Sequence, residues 1–335
     1  MKLGYIYAAI LIGIAVVVGM LLCEFNIHSL SQIQFTGAFF SGIVGAAILV
    51  ALQNSMMATR FKLLAGTPLT LRKALRVDLM CEFTSAVTPS SVGGSGFTFL
   101  YLNREGISMG HSTFAMLAAL LADEAFLSVS SLLLFLFVPI PNLQGPEWLH
   151  YGIKWLFGVS SVIVLCWSAL LLILIFYRPE WIAGIVAFVC KLPWLRRFQG
   201  KVLRFSADLR VASMQARQKS VSFWMKIAAV TAVAWMSRFG VAVAVLSAFA
   251  PQGSLFQAWM MQWVLWMVSM ISPTPGGSGL AELMFGWYYR DYFADASMVV
   301  IAVMIWRLLS YYSYLIIGTI LLPGVFRKNR KATDK

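Results

Sequence analysis

The chain has 335 residues, of which 60% are hydrophobic and 12% are charged, and its mean hydropathy is +0.80. Soluble globular domains carry roughly 25% charged residues, so this composition excludes a soluble enzyme, a disordered chain and a fibrous repeat. It is typical of a polytopic membrane protein. In such a protein, the basic residues behind the net charge of +13 indicate first which side of the membrane each loop occupies.

Six apolar segments are long enough to cross a membrane, because a helix needs about 20 apolar residues to span the hydrocarbon core. The predicted spans are 4–23, 36–57, 112–138, 153–177, 226–250 and 296–322. We interpret the first as a retained transmembrane helix. Its apolar run is longer than the core of a signal peptide, and no small-residue cleavage site follows it.

Two further apolar stretches, 77–103 and 256–290, are interrupted in the middle by proline and glycine. Each half has about 14 residues, which at 1.5 Å per residue covers only about 21 Å. Neither half can therefore span the membrane alone. Each stretch is predicted to form a hairpin with a short half-helix after its tip.

The basic residues of the loops orient the chain. Loops rich in Lys and Arg are 58–76, 178–226 and the tail 323–335, whereas loops without either residue are 24–35, 139–152 and 251–255. This alternation fits the positive-inside rule only if both hairpins are re-entrant, returning to the side from which they entered. Both termini are then expected in the cytoplasm.

The same order of elements occurs twice. Residues 1–138 are predicted to form helix, helix, hairpin and helix, and residues 153–322 repeat this order from the opposite side of the membrane. Gly-Gly-Ser-Gly occurs at both hairpin tips, 183 residues apart. We therefore predict an all-α polytopic membrane protein with six spanning helices and two re-entrant hairpins in an inverted-topology repeat. Such repeats with broken helices are typical of transporters.

The hairpin tips are the first candidate site. Irregular backbone at membrane depth must be satisfied by protein or water, so the two tips are expected to meet inside the bundle. A glycine-rich turn before a helix presents N–H groups and partial positive charge to an anion, and hydroxyl groups add donors. The candidate anion-binding residues are Ser90, Ser91, Gly93, Gly94, Ser95, Gly96, Thr274, Gly276, Gly277, Ser278 and Gly279. The alternative is that these residues only form turns and cap the half-helices.

Charged residues inside the spans are the second candidate site, because such residues are costly in a membrane and face the bundle interior. Arg238 and Arg307 are the only basic residues that we place in the hydrophobic zone, where they could bind a phosphate group. The alternative is structural pairing with acidic residues. The acidic candidates are Asp78, Glu82, Asp123, Glu124 and Glu282. Glu282 follows the second tip, and its titration would couple transport to protons.

The segment 194–219 combines apolar residues at helical spacing with basic residues, which predicts an amphipathic helix on the inner leaflet. It either recruits anionic headgroups or only anchors the chain. The scattered Cys and His residues indicate no metal site, and motifs of hydrolases, metalloproteases and nucleotide-binding loops are absent. We therefore expect no cofactor, no catalytic residue and no nucleic-acid partner.

Three stretches resemble one known family, the lysylphosphatidylglycerol synthase transmembrane-region or flippase-like integral membrane proteins. Residues 272–282 are similar to its P-x-P-G-G-x-G-x-x-E signature, and residues 88–106 to its earlier glycine-rich element. Residues 307–312 resemble its R-x-x-S-Y-Y run. Two departures are Val92, which stands where the second copy has proline, and Asp123-Glu124, where the family often has Glu-Arg.

The resemblance implies a protein of the bacterial cytoplasmic (inner) membrane that moves an anionic lipid between leaflets, either phosphatidylglycerol-derived or polyprenyl-linked. Only 13 residues follow the last predicted helix, so we expect no synthase domain in this chain. Its expected partners are membrane lipids with anionic headgroups and a separate lipid synthase. Two alternatives remain open: a lipid-modifying enzyme that uses Asp78, Glu82 or Asp123 as acid–base groups, and a non-transporting partner of such a synthase.

Overall fold

The computed structural model describes most of the chain after residue 34. The described residues are 35–66, 69–88, 94–137, 147–191, 199–249, 253–270, 272, 274–293 and 296–327. The predicted first span, 4–23, lies outside them, as do the tip residues Ser90, Ser91 and Gly93 and most of the tail 323–335.

The described residues are almost entirely helical, as the composition predicts. The helices are α1 (Gly37–Ala65), α2 (Leu71–Val87), α3 (Thr98–Arg104), α4 (Met109–Phe137), α5 (Glu147–Leu172), α6 (Pro179–Val189), α7 (Gln199–Arg217), α8 (Val221–Ser247), α9 (Leu255–Met270), α10 (Leu280–Tyr289), α11 (Ala296–Arg307) and α12 (Ser313–Arg327). A short 3₁₀ turn precedes α3, and five residues in π-helical geometry join α11 to α12.

Four segments within the described residues are long and apolar enough to cross a membrane unbroken. They are Gly37–Ala65, Met109–Leu134, Val221–Ser247 and Met298–Leu322. They correspond to the predicted spans 36–57, 112–138, 226–250 and 296–322. The count of six spans, the re-entry of the hairpins and the inverted repeat stay predictions, because each is defined relative to a membrane.

The predicted span 153–177 forms most of α5 but ends in a sharp bend. Its last turn is π-helical over Ile173–Tyr177, and α6 then leaves at 94°. Pro179 is the cause, because its ring cannot continue the preceding helix but is favoured in a first helical turn. The sequence did not predict α6, which lies in the segment interpreted as a basic cytoplasmic loop.

The predicted basic helix is present as α7, and it packs on protein along one face. Leu209 and Ala212 are buried against Phe114 and Ala118 of α4. The approach is close, since a Cβ atom added at Gly110 would lie 2.4 Å from the Leu209 nitrogen. Its contact with the inner leaflet stays a prediction.

The two hairpins are antiparallel pairs of helices. In the first, α3 returns along α2, because Gly94 contacts Ser85 near the tip and Glu105 lies beside Arg76 at the base. In the second, α10 returns along α9, because the Tyr289 hydroxyl donates to the Ala258 carbonyl at 2.7 Å. The short half-helices predicted after both tips are confirmed as α3 and α10.

Helices α1 and α8 form the central packing interface between the two halves of the chain. Their approach depends on small residues, as is common between helices in membranes. A Cβ atom added at Gly42 would lie 2.7 Å from the Ala248 Cβ, whereas one added at Gly45 would lie 4.0 Å from the Ala244 Cβ. The two glycines therefore differ in the room that surrounds them.

We expect Gly42→Ala to destabilise the protein by about 1–3 kcal/mol, because the added methyl group overpacks the α1–α8 interface. Gly45→Ala, one turn along the same helix, is the matched control and should not destabilise. The measurement is the free energy of unfolding of each variant in mixed detergent micelles. Equal stability of the two variants would contradict the packing role of Gly42.

Candidate functional site

The second hairpin tip contacts the end of α2, directly before the residues of the first tip. The Gly276 N–H donates to the Thr88 carbonyl at 3.3 Å, and the Tyr311 hydroxyl donates to the Ala86 carbonyl at 3.2 Å. Both acceptors lie at the end of α2, where helical carbonyls lack partners of their own. The second hairpin and the α11–α12 junction therefore supply hydrogen-bond donors to the free carbonyls at the end of α2.

The second tip needs its glycines. Gly276, Gly277 and Gly279 have φ values of 58°, 70° and 89°, a backbone region that L side chains rarely adopt. A Cβ atom added at Gly276 would also lie 2.3 Å from the Tyr311 ring. The Gly-Gly-Ser-Gly sequence at this tip is thus explained by conformation and by close packing.

The four consecutive N–H groups of this tip are already donated within the protein. Besides Gly276, the Gly277 and Ser278 N–H groups donate to the Thr274 and Pro275 carbonyls, and the Gly279 N–H donates to Glu282 Oε2 at 2.7 Å. The Thr274 hydroxyl donates to the Ser278 carbonyl at 2.6 Å. In this conformation the tip forms a capped turn, and the backbone anion site that the sequence favoured is filled by the chain's own acceptors.

The first tip is described only from Gly94 onward. Its N–H donates to the Ser85 hydroxyl at 2.9 Å, and a Cβ atom there would lie 1.9 Å from the Cys81 carbonyl oxygen. Gly94 therefore lets the chain turn back tightly against α2. Ser95 lines a cavity described below, and Gly96 is exposed.

A cavity of about 90 Å³ lies between the two hairpins, α1, α8 and the α11–α12 junction, and we call it the central cavity. Its charged residues are Arg238, Arg307 and Glu82. Uncharged polar residues that line it are Gln53, Ser85, Gln262, Ser269, Ser310, Tyr311 and Tyr314. Both predicted arginines thus reach one cavity, and each of them is paired with a carboxylate, Arg238 with Glu82 and Arg307 with Glu282.

Arg238 of α8 pairs with Glu82 of α2. Its Nη1 and Nη2 atoms donate to the two carboxylate oxygens at 2.7 and 3.3 Å, and the guanidinium lies 4.9 Å from the centre of the Trp266 ring. The two side chains are 23% and 13% exposed. This pair is therefore accessible from the cavity.

Arg307 of α11 pairs with Glu282 of α10 in a more enclosed place. Its Nε and Nη2 atoms lie 2.8 and 3.0 Å from the carboxylate oxygens, and the side chains are only 6% and 1% exposed. Glu282 also caps α10 through Gly279. In this conformation both arginines are therefore paired with glutamates, and Glu282 also accepts from the Gly279 N–H.

A third buried arginine was missed by the sequence. Arg60, assigned to a cytoplasmic loop, lies in the last part of α1 and is only 3% exposed. It pairs with Asp123 of α4, whose Oδ1 also accepts from the Trp235 indole at 2.7 Å. The sequence did contain a signal for the longer helix. The face of α1 that carries Gln53 and Met57 continues to Arg60, beyond the predicted end at residue 57.

A second cavity of about 100 Å³ lies between α1, the first hairpin, α4 and α8. We call it the Asp78 cavity. Its charged residues are Arg60, Asp78, Glu82, Asp123, Glu124 and Arg238. It shares Glu82 and Arg238 with the central cavity, so this ion pair forms part of the wall between the two.

We expect Glu282→Gln to destabilise the protein by about 3–5 kcal/mol, because it leaves Arg307 charged, buried and unpaired. Glu180→Gln removes one partner of the exposed Arg178–Glu180 pair and should change stability by less than about 0.5 kcal/mol. Unfolding free energies of both variants test this. A small effect of Glu282→Gln would show that Arg307 has another acceptor.

Comparisons with known proteins agree with the sequence motifs. The family described as "Lysylphosphatidylglycerol synthase TM region" matches residues 6–318. A "UPF0104 membrane protein" of Archaeoglobus fulgidus is 26% identical over 293 residues, which cover 82% of this chain and 85% of that protein. No solved structure has a significant match to the chain.

Proposed function

Because the chain belongs to the lysylphosphatidylglycerol synthase transmembrane-region family, we propose that it moves a lipid with an anionic headgroup between the two leaflets of a bacterial cytoplasmic membrane. The lipid is a phospholipid, phosphatidylglycerol-derived or polyprenyl-linked, and both termini of the chain lie in the cytoplasm. No covalent change of the lipid and no cofactor is part of this proposal. A separate synthase would supply a modified lipid.

The observation that carries the proposal is the central cavity between the two hairpin tips. Two arginines and one carboxylate line it, and the arginines reach it from the second half of the chain. An anion that replaces Glu82 at Arg238 keeps the arginine neutralised, and the attraction is stronger here than in bulk water because water is scarce. Guanidinium groups match phosphate geometry through parallel hydrogen bonds.

Arg238 is the arginine that the headgroup would bind. Its pair with Glu82 is several times more exposed than the Arg307–Glu282 pair, and it borders both cavities. A phosphate group can therefore exchange with Glu82 at Arg238. Arg307 instead holds Glu282, and through it the Gly279 end of α10, so that it positions the second tip.

The rest of the lipid needs an apolar surface. A groove of about 910 Å³ runs along α4, α5 and α8 and is lined mainly by alanine and larger apolar side chains. It lies on the opposite face of α4 from Asp123 and Glu124, so α4 separates it from the charged interior. In the proposed mechanism the acyl chains stay in such apolar surroundings while the headgroup crosses between the halves, which rock around the tips.

A leaflet assay with purified protein tests this function. Proteoliposomes would carry labelled phosphatidylglycerol, labelled phosphatidylcholine or a labelled polyprenyl phosphate, and loss of label from the outer leaflet would be followed. We expect the wild type to move anionic lipids and Arg238→Gln to move them at least about tenfold more slowly, a loss of about 1.4 kcal/mol or more of stabilisation. Arg178→Gln, outside both cavities, should match the wild type.

Further variants separate binding from folding. Arg238→Gln leaves Glu82 unpaired, so the double variant Glu82→Gln/Arg238→Gln removes both charges and keeps the cavity neutral. It should fold and still fail to move anionic lipid. Gly277→Val should also slow movement, because it strains the second tip at a positive φ.

Three outcomes would contradict the proposal. No movement of any anionic lipid by the wild type would exclude a transporter under these conditions. A new lipid product, detected by mass spectrometry, would favour the lipid-modifying enzyme. Retained co-purification with a synthase in the absence of lipid movement would favour a non-transporting partner.

A further inference from the structure

We propose that Asp78 carries an exchangeable proton, and that proton uptake there is linked to binding of the anionic headgroup at Arg238. This inference rests on the proposed function, which it extends by naming a coupling ion. It also moves the coupling role from Glu282, which caps α10 and is held by Arg307.

Asp78 is a buried acid with an unused acceptor. It lies in the middle of α2 and is 3% exposed, and it lines the Asp78 cavity. Its Oδ2 atom is enclosed and has no hydrogen-bond partner among the described residues. Buried polar atoms are nearly always hydrogen-bonded, so this atom needs a partner that the described residues do not supply.

The arginines that face Asp78 are already paired. The charged and titratable groups around it are Cys81 and Glu82 of α2, Arg60 of α1, Asp123 and Glu124 of α4, Arg238 of α8 and Tyr314 of α12. Arg60 forms an ion pair with Asp123, and Arg238 forms one with Glu82. Within the described residues, Asp78 has no ion-pair partner at 4.0 Å or less.

An unpaired carboxylate in such a place is costly, and the neutral acid avoids this cost. The Asp78 cavity holds more acidic than basic groups, which further favours a bound cation, and the smallest is a proton. Its volume of about 100 Å³ is sufficient for several water molecules, which can bring the proton from solution. The proton adds to a carboxylate oxygen, and no other bond changes.

The link to the headgroup runs through Glu82. Asp78 and Glu82 are four residues apart and therefore lie on one face of α2, and Glu82 belongs to both cavities. A phosphate bound at Arg238 displaces Glu82, which then adds an unpaired carboxylate beside Asp78. Two neighbouring carboxylates favour a shared proton. Anion binding and proton uptake thus strengthen each other, because such coupling is reciprocal.

The test measures binding, so that it does not depend on transport. Dihexanoyl phosphatidylglycerol is titrated into purified full-length protein in a zwitterionic detergent at several pH values. For linkage to one proton, we expect the affinity of the wild type to rise up to about tenfold for each unit of decrease in pH. Asp78→Asn should bind with an affinity that is nearly independent of pH, whereas Asp78→Glu should keep the dependence.

Infrared spectroscopy observes the proton directly. Addition of dihexanoyl phosphatidylglycerol to the wild type should increase a carbonyl band of a protonated, enclosed carboxylic acid, an increase that is lost in Asp78→Asn and retained in the surface control Glu180→Gln. Asp78→Asn should fold, because an amide of equal size places no unpaired charge in the cavity.

Several results would overturn the inference. These are lipid binding without pH dependence in the wild type, a pH dependence that persists in Asp78→Asn, or an increase of the carbonyl band that persists in Asp78→Asn. Affinity that responds to Na⁺ at constant pH would replace the proton by another cation. Failure of lipid movement in the leaflet assay, with pH-dependent binding intact, would count against transport alone.

Discussion

The charge of a buried arginine has to be neutralised, and in this bundle each neutralising carboxylate lies on a different helix from its arginine. The Arg60 pair joins α1 to α4, the Arg238 pair joins α8 to α2, and the Arg307 pair joins α11 to α10. Removing one partner from such a pair costs about 3–5 kcal/mol. Apolar contacts between helices are not specific, so these ion pairs determine which helices lie next to each other.

Within the part of the chain that the structure describes, five acids and three arginines lie in the interior, around two unlike cavities. In the central cavity both arginines are paired with glutamates, whereas the Asp78 cavity has more acidic than basic groups. The Arg238–Glu82 pair belongs to both walls. An anion in the central cavity and a cation in the Asp78 cavity therefore act on the same ion pair. For this reason, binding of the one is linked to binding of the other.

The sequence predicted what depends on local pattern. The length of the apolar segments predicted the positions of four spans. Proline and glycine in the middle of two apolar stretches predicted both hairpins and that their tips would meet. It could not assign the ion pairs, because they join residues 63, 156 and 25 positions apart. Arg60 was misplaced because apolar length set the end of α1 at residue 57, whereas the helix continues to Ala65 with its polar residue turned inward.

The tryptophans around Arg238 have a practical consequence for optical work on this protein. The guanidinium lies 4.9 Å from the Trp266 ring and 5.6 Å from the Trp235 ring, close enough for cation–π interaction. The Trp266 indole nitrogen has no hydrogen-bond partner among the described residues. Any ligand that draws Arg238 away from Glu82 changes the electric field at both indoles, so these two of the twelve tryptophans would report on the site in a variant whose other tryptophans are replaced.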